Sequence, residues 1–336
     1  MKSHTVPRKL LDQFAYDDPV TKSRRLYRYE KDRPVLRFAS ARTATRWDGH
    51  FADPTNAEKE EELELRLKRE FEDPVNDFLE TMGDASFSWT DERVRVLTGY
   101  IRMLFNRSRA RQVASGISAK TKADALRTVL RDEQAINALT NRHIASIIEN
   151  GLSIPRGRWS PKQDVKQALM RQIAQHTGPD ETQRDYIQAL ETMMSFPDET
   201  MLNGGWAILH ADPDHPFVIG DAPVVTWERT AHNTLYFGIG FARPNVEVFL
   251  PVSPTACICV LPRVERTRKV QRPSPVDVNI AQARFATQHC FTNVCSQELD
   301  AILQPHFGKM RMGIDGFNTN HRDASKLLFD ILMNVL

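Results

Sequence analysis

Two strand-patterned stretches lie far apart in this chain, and neither is long enough to build a sheet that buries a face on its own. The first runs Leu26-Tyr27-Arg28-Tyr29 and Val35-Leu36-Arg37-Phe38 about a charged turn at Lys31-Asp32-Arg33-Pro34, which predicts a β-hairpin. The second begins with "GWAILHADPDHPFVIGDAPVV" (205–225), read as strand, Asp-Pro-Asp turn, strand. It continues with "VEVFLPVSPTACICVLP" (246–262), a hairpin turning at Pro251 to Pro254. The middle of the chain has helical spacing instead. The expected fold is therefore α+β, with the N-terminal hairpin and the C-terminal hairpins sharing one antiparallel or mixed sheet. On this reading residues 1–336 form a single integrated domain: motif and hairpin at 1–50, helices at 57–200, strands at 204–262 and mainly helix at 276–336.

Local signals fill in the order. "SHTVPRKLLDQFA" predicts a short helix after Pro7, with Val6, Leu10, Leu11 and Phe14 as its apolar positions. "RWDGHFADPTN" reads as a loop. Leu63, Leu67 and Phe71 at spacing four predict one amphipathic helix over 57–82, broken or kinked at Asp73-Pro74. Thr90 is a candidate cap for a helix with Val94, Leu97, Ile101, Leu104 and Phe105 as its stripe. Further helices are expected at about 119–150, 161–176, 180–196, 276–290 and 323–336.

Composition excludes some classes of function. Forty-five Lys and Arg stand against 43 Asp and Glu, so a net charge of +2 supplies no bulk attraction to nucleic acid, and any basic surface must be local. No apolar run reaches the roughly 18 residues of a membrane span, so no membrane partner is expected. The first twenty residues lack the apolar core of a secretory signal, which predicts a cytoplasmic protein. The four cysteines, at 257, 259, 290 and 295, then read as reduced thiols. Cys257 and Cys259 share a strand face, and buried small hydrophobes suit them better than a zinc site.

The chemistry-bearing residues are scattered. Asp221 follows an apolar strand in a Gly-Asp-Ala-Pro break. A turn alone accounts for it, and so does a rigid platform from which a carboxylate binds a cation or orients a histidine. Were that turn exposed, Asp221→Asn would cost about 1 kcal/mol or less. His4 stands near the N-terminus in "SHTVP". Arg107, with Asn106 beside it, borders the apolar stripe of its helix. A guanidinium there favours the helix C-terminus, or else needs a carboxylate or phosphate partner. Ser253 in its turn and Asn279 near a helix start are explained equally by turn and cap chemistry. The common hydrolase, nucleotide-loop and zinc-protease motifs are absent.

Taken together, these residues resemble DUF4238, a mainly bacterial family named as a domain of unknown function. The likeness begins at His4, Val6, Pro7, Leu11 and Phe14 and continues through the Tyr-rich hairpin Leu26 to Tyr29. A helix glutamate, Glu72, and the helix arginine, Arg107, follow. It then takes in Trp206, the turn Gly220-Asp221-Ala222-Pro223, the turn Pro251-Val252-Ser253-Pro254 and Asn279. Gly220 stands where the family pattern has serine and Ala222 where it has asparagine, so a mechanism needing a hydroxyl at 220 is in doubt here.

Two readings of function follow. In the first the protein is a hydrolase of a phosphodiester or other phosphate-containing substrate, nuclease-like or effector-like. His4 would be the base, Asp221 and Glu72 the carboxylates for water or a divalent metal, and Arg107 the anion clamp, with Ser253, Asn279 and Asn106 against a nucleotide or nucleic acid. The alternative is a non-enzymatic binding or sensor protein whose polar network is structural, because buried polar groups need partners. Convergence of His4, Arg107 and Asp221 at an open site separates the two.

Overall fold

A computed structural model describes residues 2–48, 58–84, 86–108, 126–149, 160–175, 199–229, 235–237, 246–261 and 273–309, with a few single positions and pairs between them. The chain groups into two compact units. One comprises Met1–Val113 and Ile187–Gly313, the other Ala114–Tyr186 and Ile314–Leu336.

The first unit starts with β1 (Lys2–His4), which pairs antiparallel with β5 (Arg46–Asp48). The loop expected over residues 46–48 is thus a short strand. Between them Pro7 precedes α1 (Arg8–Asp12), whose Leu10 and Leu11 are buried. β2 (Tyr16–Asp17), β3 (Arg24–Glu30) and β4 (Arg33–Ala39) follow. The β3–β4 hairpin forms as expected, and Asp32 turns it in the left-handed region (φ 59°), which Asp tolerates.

The expected long helix is divided. α2 (Glu58–Leu67) runs into a π-turn (Lys68–Glu72) and then α3 (Asp73–Asn76). Pro74 has no N–H and its ring crowds the carbonyl four residues back. The widened turn, in which the Asp73 N–H reaches Lys68 O, takes up that misfit. α4 (Asp91–Arg107) is capped as its sequence predicts: Thr90 Oγ1 accepts from Arg93 N at 3.2 Å.

The C-terminal strands divide between two sheets. β6 (Gly205–His210), β8 (Val225–Arg229), β9 (Leu235–Phe237), β10 (Val246–Ser253) and β11 (Ala256–Leu261) form one antiparallel sheet in the order β6-β11-β10-β8-β9. The β10–β11 hairpin is the expected one, but its turn is shorter. Pro251 lies inside β10, beside a register shift between Pro251 and Ser253 that lets a proline sit in a strand. Residues 205–225 do not make a hairpin. β6 pairs with β11, whereas β7 (Ile219–Gly220) joins the N-terminal sheet through β12 (His289–Thr292).

β12 lies where a helix was expected. α8 (Pro275–Phe285, counting Glu133–Glu149 as α5, Pro161–Gln175 as α6 and Glu199–Leu202 as α7) stops at Ala286, and the chain extends into β12 between β3 and β7. The second sheet therefore runs β2-β3-β12-β7, with β4 on the other edge of β3. So the N-terminal hairpin does share a sheet with C-terminal strands. α8 and α9 (Gln297–Leu303) bury one face of it through Tyr29, Val218, Ala283, Ala286, Cys290, Leu299, Leu303 and Phe307.

In the second unit α5 and α6 meet around Leu126, Ile136, Val165 and Leu169. The helices expected over 180–196 and 323–336 fall largely or wholly outside the described residues. No helix among the described residues is long and apolar enough to cross a membrane.

Candidate functional site

β7 has only two residues, so the chain around it needs other backbone partners. α8 supplies them from side chains one turn apart. Asn279 Nδ2 donates to Pro216 O and its Oδ1 accepts from Val218 N, both at 2.9 Å. Gln282 Oε1 accepts from Gly220 N and its Nε2 donates to Pro223 O, both at 2.8 Å. Two amides thus stand in for a missing strand. Gly220 permits the close approach: a Cβ there would lie 3.1 Å from the backbone oxygen of Gln282.

Asp221 binds the opposite way, to the segment after α8. Oδ1 accepts from Thr287 N at 2.7 Å. Oδ2 accepts from Thr287 Oγ1 at 2.8 Å, Gln288 N at 2.9 Å and His289 N at 3.2 Å. The Asp221 N–H donates to His289 O at 3.0 Å. The residue is 1% exposed. Burial pushes its carboxyl up from the ordinary value, against the pull of the Thr287 hydroxyl, the backbone donors and nearby His289. Five bonds from one residue lock the α8–β12 connection to the Gly-Asp-Ala-Pro turn. His289, in turn, is held below its ordinary value by burial, and its Nε2 stands 3.9 Å from Glu30 Oε1.

A second polar cluster is built on helices. Gly99, Met103 and Arg107 lie four apart on one ridge of α4, and the ring of Phe71 from the π-turn rests against Gly99. The Arg107 guanidinium, 2% exposed, then reaches two carboxylates. Nη1 donates to Glu72 at 2.5 Å and Nη2 to Glu64 at 2.9 and 3.2 Å. Both glutamates keep an edge at the surface, 16% for Glu64 and 17% for Glu72. Tyr100 is buried beside them, and burial, with the Glu72 charge, pushes its hydroxyl well above the ordinary value. Asn106 bonds back along α4, Nδ2 to Arg102 O at 2.9 Å.

His4 belongs to a third cluster. Its Nε2 lies 3.0 Å from Arg42 O, while Thr45 Oγ1 both donates to Val6 O and accepts from Val6 N. Ser253 Oγ accepts from Thr255 N within its turn, and Pro254 O accepts from Phe217 N.

The described bonds therefore join Arg107 to Glu72, set Asp221 and Asn279 on one short segment, and tie His4 to the loop after β4. Glu64, Gln282 and Thr287 had not been singled out. Glu64 and Gln282 had a signal, since each shares a helix face with a chosen residue. Thr287 had none. Among the described residues no group of three or more His, Cys, Asp or Glu is arranged to hold a metal ion. Cys257, Cys259 and Cys290 are buried free thiols and Cys295 is an exposed one.

Neither a curated protein nor a solved structure matches the chain. A family model described as "Protein of unknown function (DUF4238)" matches residues 2–298, nearly the whole of the polar network just described, and the chain belongs to that family.

Proposed function

We propose that the protein is a non-enzymatic binding protein whose family motif residues hold its scaffold. The observation that carries this is the Asp221 carboxylate, fully buried and met by four donors. A catalytic carboxylate needs a lone pair directed at substrate, and these lone pairs are directed at the protein's own backbone. Asp221→Asn tests the reading. The amide oxygen can face the three donors on one side, but its NH2 then meets the Thr287 N–H donor to donor. The expected loss is about 1–3 kcal/mol in a urea melt, larger than an exposed turn would lose. A variant that melts like the parent but has lost function would return Asp221 to an active site.

A hydrolase of phosphate-containing substrates is the second reading, and the surface edges of Glu64 and Glu72 favour it. Two carboxylates suit a Mg²⁺ that takes its remaining ligands from phosphate and water, and Arg107 would position them. Mg²⁺-dependent cleavage of a phosphodiester, lost in Glu72→Gln, would establish this reading over the first.

A further inference from the structure

A sheet edge is a row of unpaired N–H and C=O groups, and folded chains guard it with short strands, charges, prolines or bulges. Most edges among the described residues are guarded in this way. β2 and β7 have two residues each, and β1, β5 and β9 have three. The backbone beside β7 is also met by Asn279 and Gln282. β4 is longer, but it carries Arg33, Pro34 and Arg37, and its pairing with β3 shifts register between Arg28 and Glu30. β6 has none of these devices. It reads Gly205-Trp206-Ala207-Ile208-Leu209-His210, with no Lys, Arg, Asp, Glu or Pro. It pairs with β11 from Gly205–Leu261 to His210–Ala256 without a register shift, and among the described residues it pairs with no other strand. Gly205, Ala207 and His210 are exposed. The ladder fixes which backbone groups face outward. Ala211 N donates to Thr255 O at 3.0 Å, so the alternate residues Gly205, Ala207 and Leu209 bond toward β11. Trp206, Ile208 and His210 then turn their N–H and C=O groups away from the sheet. The strand is also held in place. Trp206 Nε1 donates to Met201 O at 2.9 Å, and its ring lies against Trp89 with centroids 5.4 Å apart.

We propose that the open edge of β6 pairs antiparallel with β6 of a second copy of this chain, joining two five-stranded sheets about a two-fold axis at Ile208. One register pairs all the outward residues of both strands. Ile208 meets its own copy, and Trp206 meets the partner's His210, each pair exchanging two N–H···O=C bonds. On the opposite face of the strand, small Ala207 then faces the partner's large Leu209, so the side chains interlock. An uncharged edge offers a foreign strand no electrostatic selection. A second β6 brings no like charges opposite one another, and its own sequence supplies the complement. The contact is isologous, so it consumes both edges and assembly stops at two. Pairing at β6 uses none of the residues of the Asp221 or Arg107 clusters.

The test is sedimentation of the full chain over a range of concentrations, beside circular dichroism of each variant. The parent should reach twice its 38.4 kDa. Ile208→Pro removes an N–H that faces outward and costs β6 no bond to β11. Ala207→Lys adds a charge at an exposed position, the guard that other edges carry. Both variants should keep the parent's spectrum and sediment as monomers. If Ile208→Pro fails to fold, Ala207→Lys decides. A cross-link fixes the register. In a Cys295→Ser background, which removes the exposed native thiol, Ile208→Cys should form a covalent dimer on mild oxidation, because the residue meets itself across the axis. His210→Cys should not, since it lies four strand positions from its own copy. A parent that stays monomeric at every concentration overturns the proposal. So does a dimer that survives Ala207→Lys, or one that cross-links at His210→Cys and not at Ile208→Cys.

Discussion

Burying a carboxylate costs several kcal/mol unless its lone pairs are met, and Asp221 meets them with one hydroxyl and three backbone N–H groups. The same arrangement constrains the imidazole next to it. Burial holds His289 below its ordinary 6.5 and Arg28 adds to the effect, while Asp221 and Glu30 oppose it. The folded chain therefore takes up this proton at lower pH than the unfolded chain. The stability linked to neutral His289 is present above about pH 6.5 and is lost as pH falls through and below it. Urea midpoints measured between about pH 7.5 and 5.5 should fall with pH in the parent. They should fall less in His289→Gln. Equal slopes would mean that Glu30 captures the imidazolium and cancels the burial effect.

At the scale of elements, side chains complete what short strands leave open. α8 presents Asn279 and Gln282 to the 216–223 backbone, and it comes close enough only because residue 220 has no side chain. Gly220→Ser would press a Cβ to within 3.1 Å of Gln282 O and 3.2 Å of its side-chain oxygen. We expect about 1–3 kcal/mol of destabilisation from overpacking, read as a lowered melting temperature. An unchanged or raised temperature would mean that α8 can withdraw and that the glycine is dispensable. The π-turn at Lys68–Glu72 is another local accommodation, since it absorbs Pro74 at the place where Glu72 turns toward Arg107.

The first unit closes its sheet with segments more than 250 residues apart. β3 pairs with β12 from Tyr27–Thr292 to Glu30–His289, and Tyr29 is fully buried in the helix-covered face. The Tyr29 hydroxyl donates to Val294 O at 2.8 Å and accepts from Ser296 N at 3.0 Å. Burial pushes that hydroxyl up to about 12, so it remains a donor at every physiological pH. Deleting residues 1–40 would leave one edge of β12 unpaired and empty the Tyr29 site. The truncated chain is expected to show no cooperative thermal transition by circular dichroism. A truncation that melts as the parent does would mean that β12 and β7 suffice for that sheet.

Local physics made much of this legible from residues alone. Alternation marked the β3–β4 and β10–β11 hairpins, Pro7 and Thr90 marked two helix starts, and the shortness of the two β regions implied a shared sheet. Other features carry no local signature. β12 is four residues directly after a helix and β7 is two, too short for any period to register. Asp221 finds its donors 66 to 68 residues away, and Arg107 finds Glu64 across 43. Periodicity and capping report the free energy of a residue among its near neighbours. Which distant groups meet is decided by burial, because a carboxylate or guanidinium removed from water must take whatever partner the packed chain brings to it. The residue types of the polar network could therefore be read from the sequence, while their division into three clusters, and Asp221's full set of internal donors, arose only in the tertiary structure.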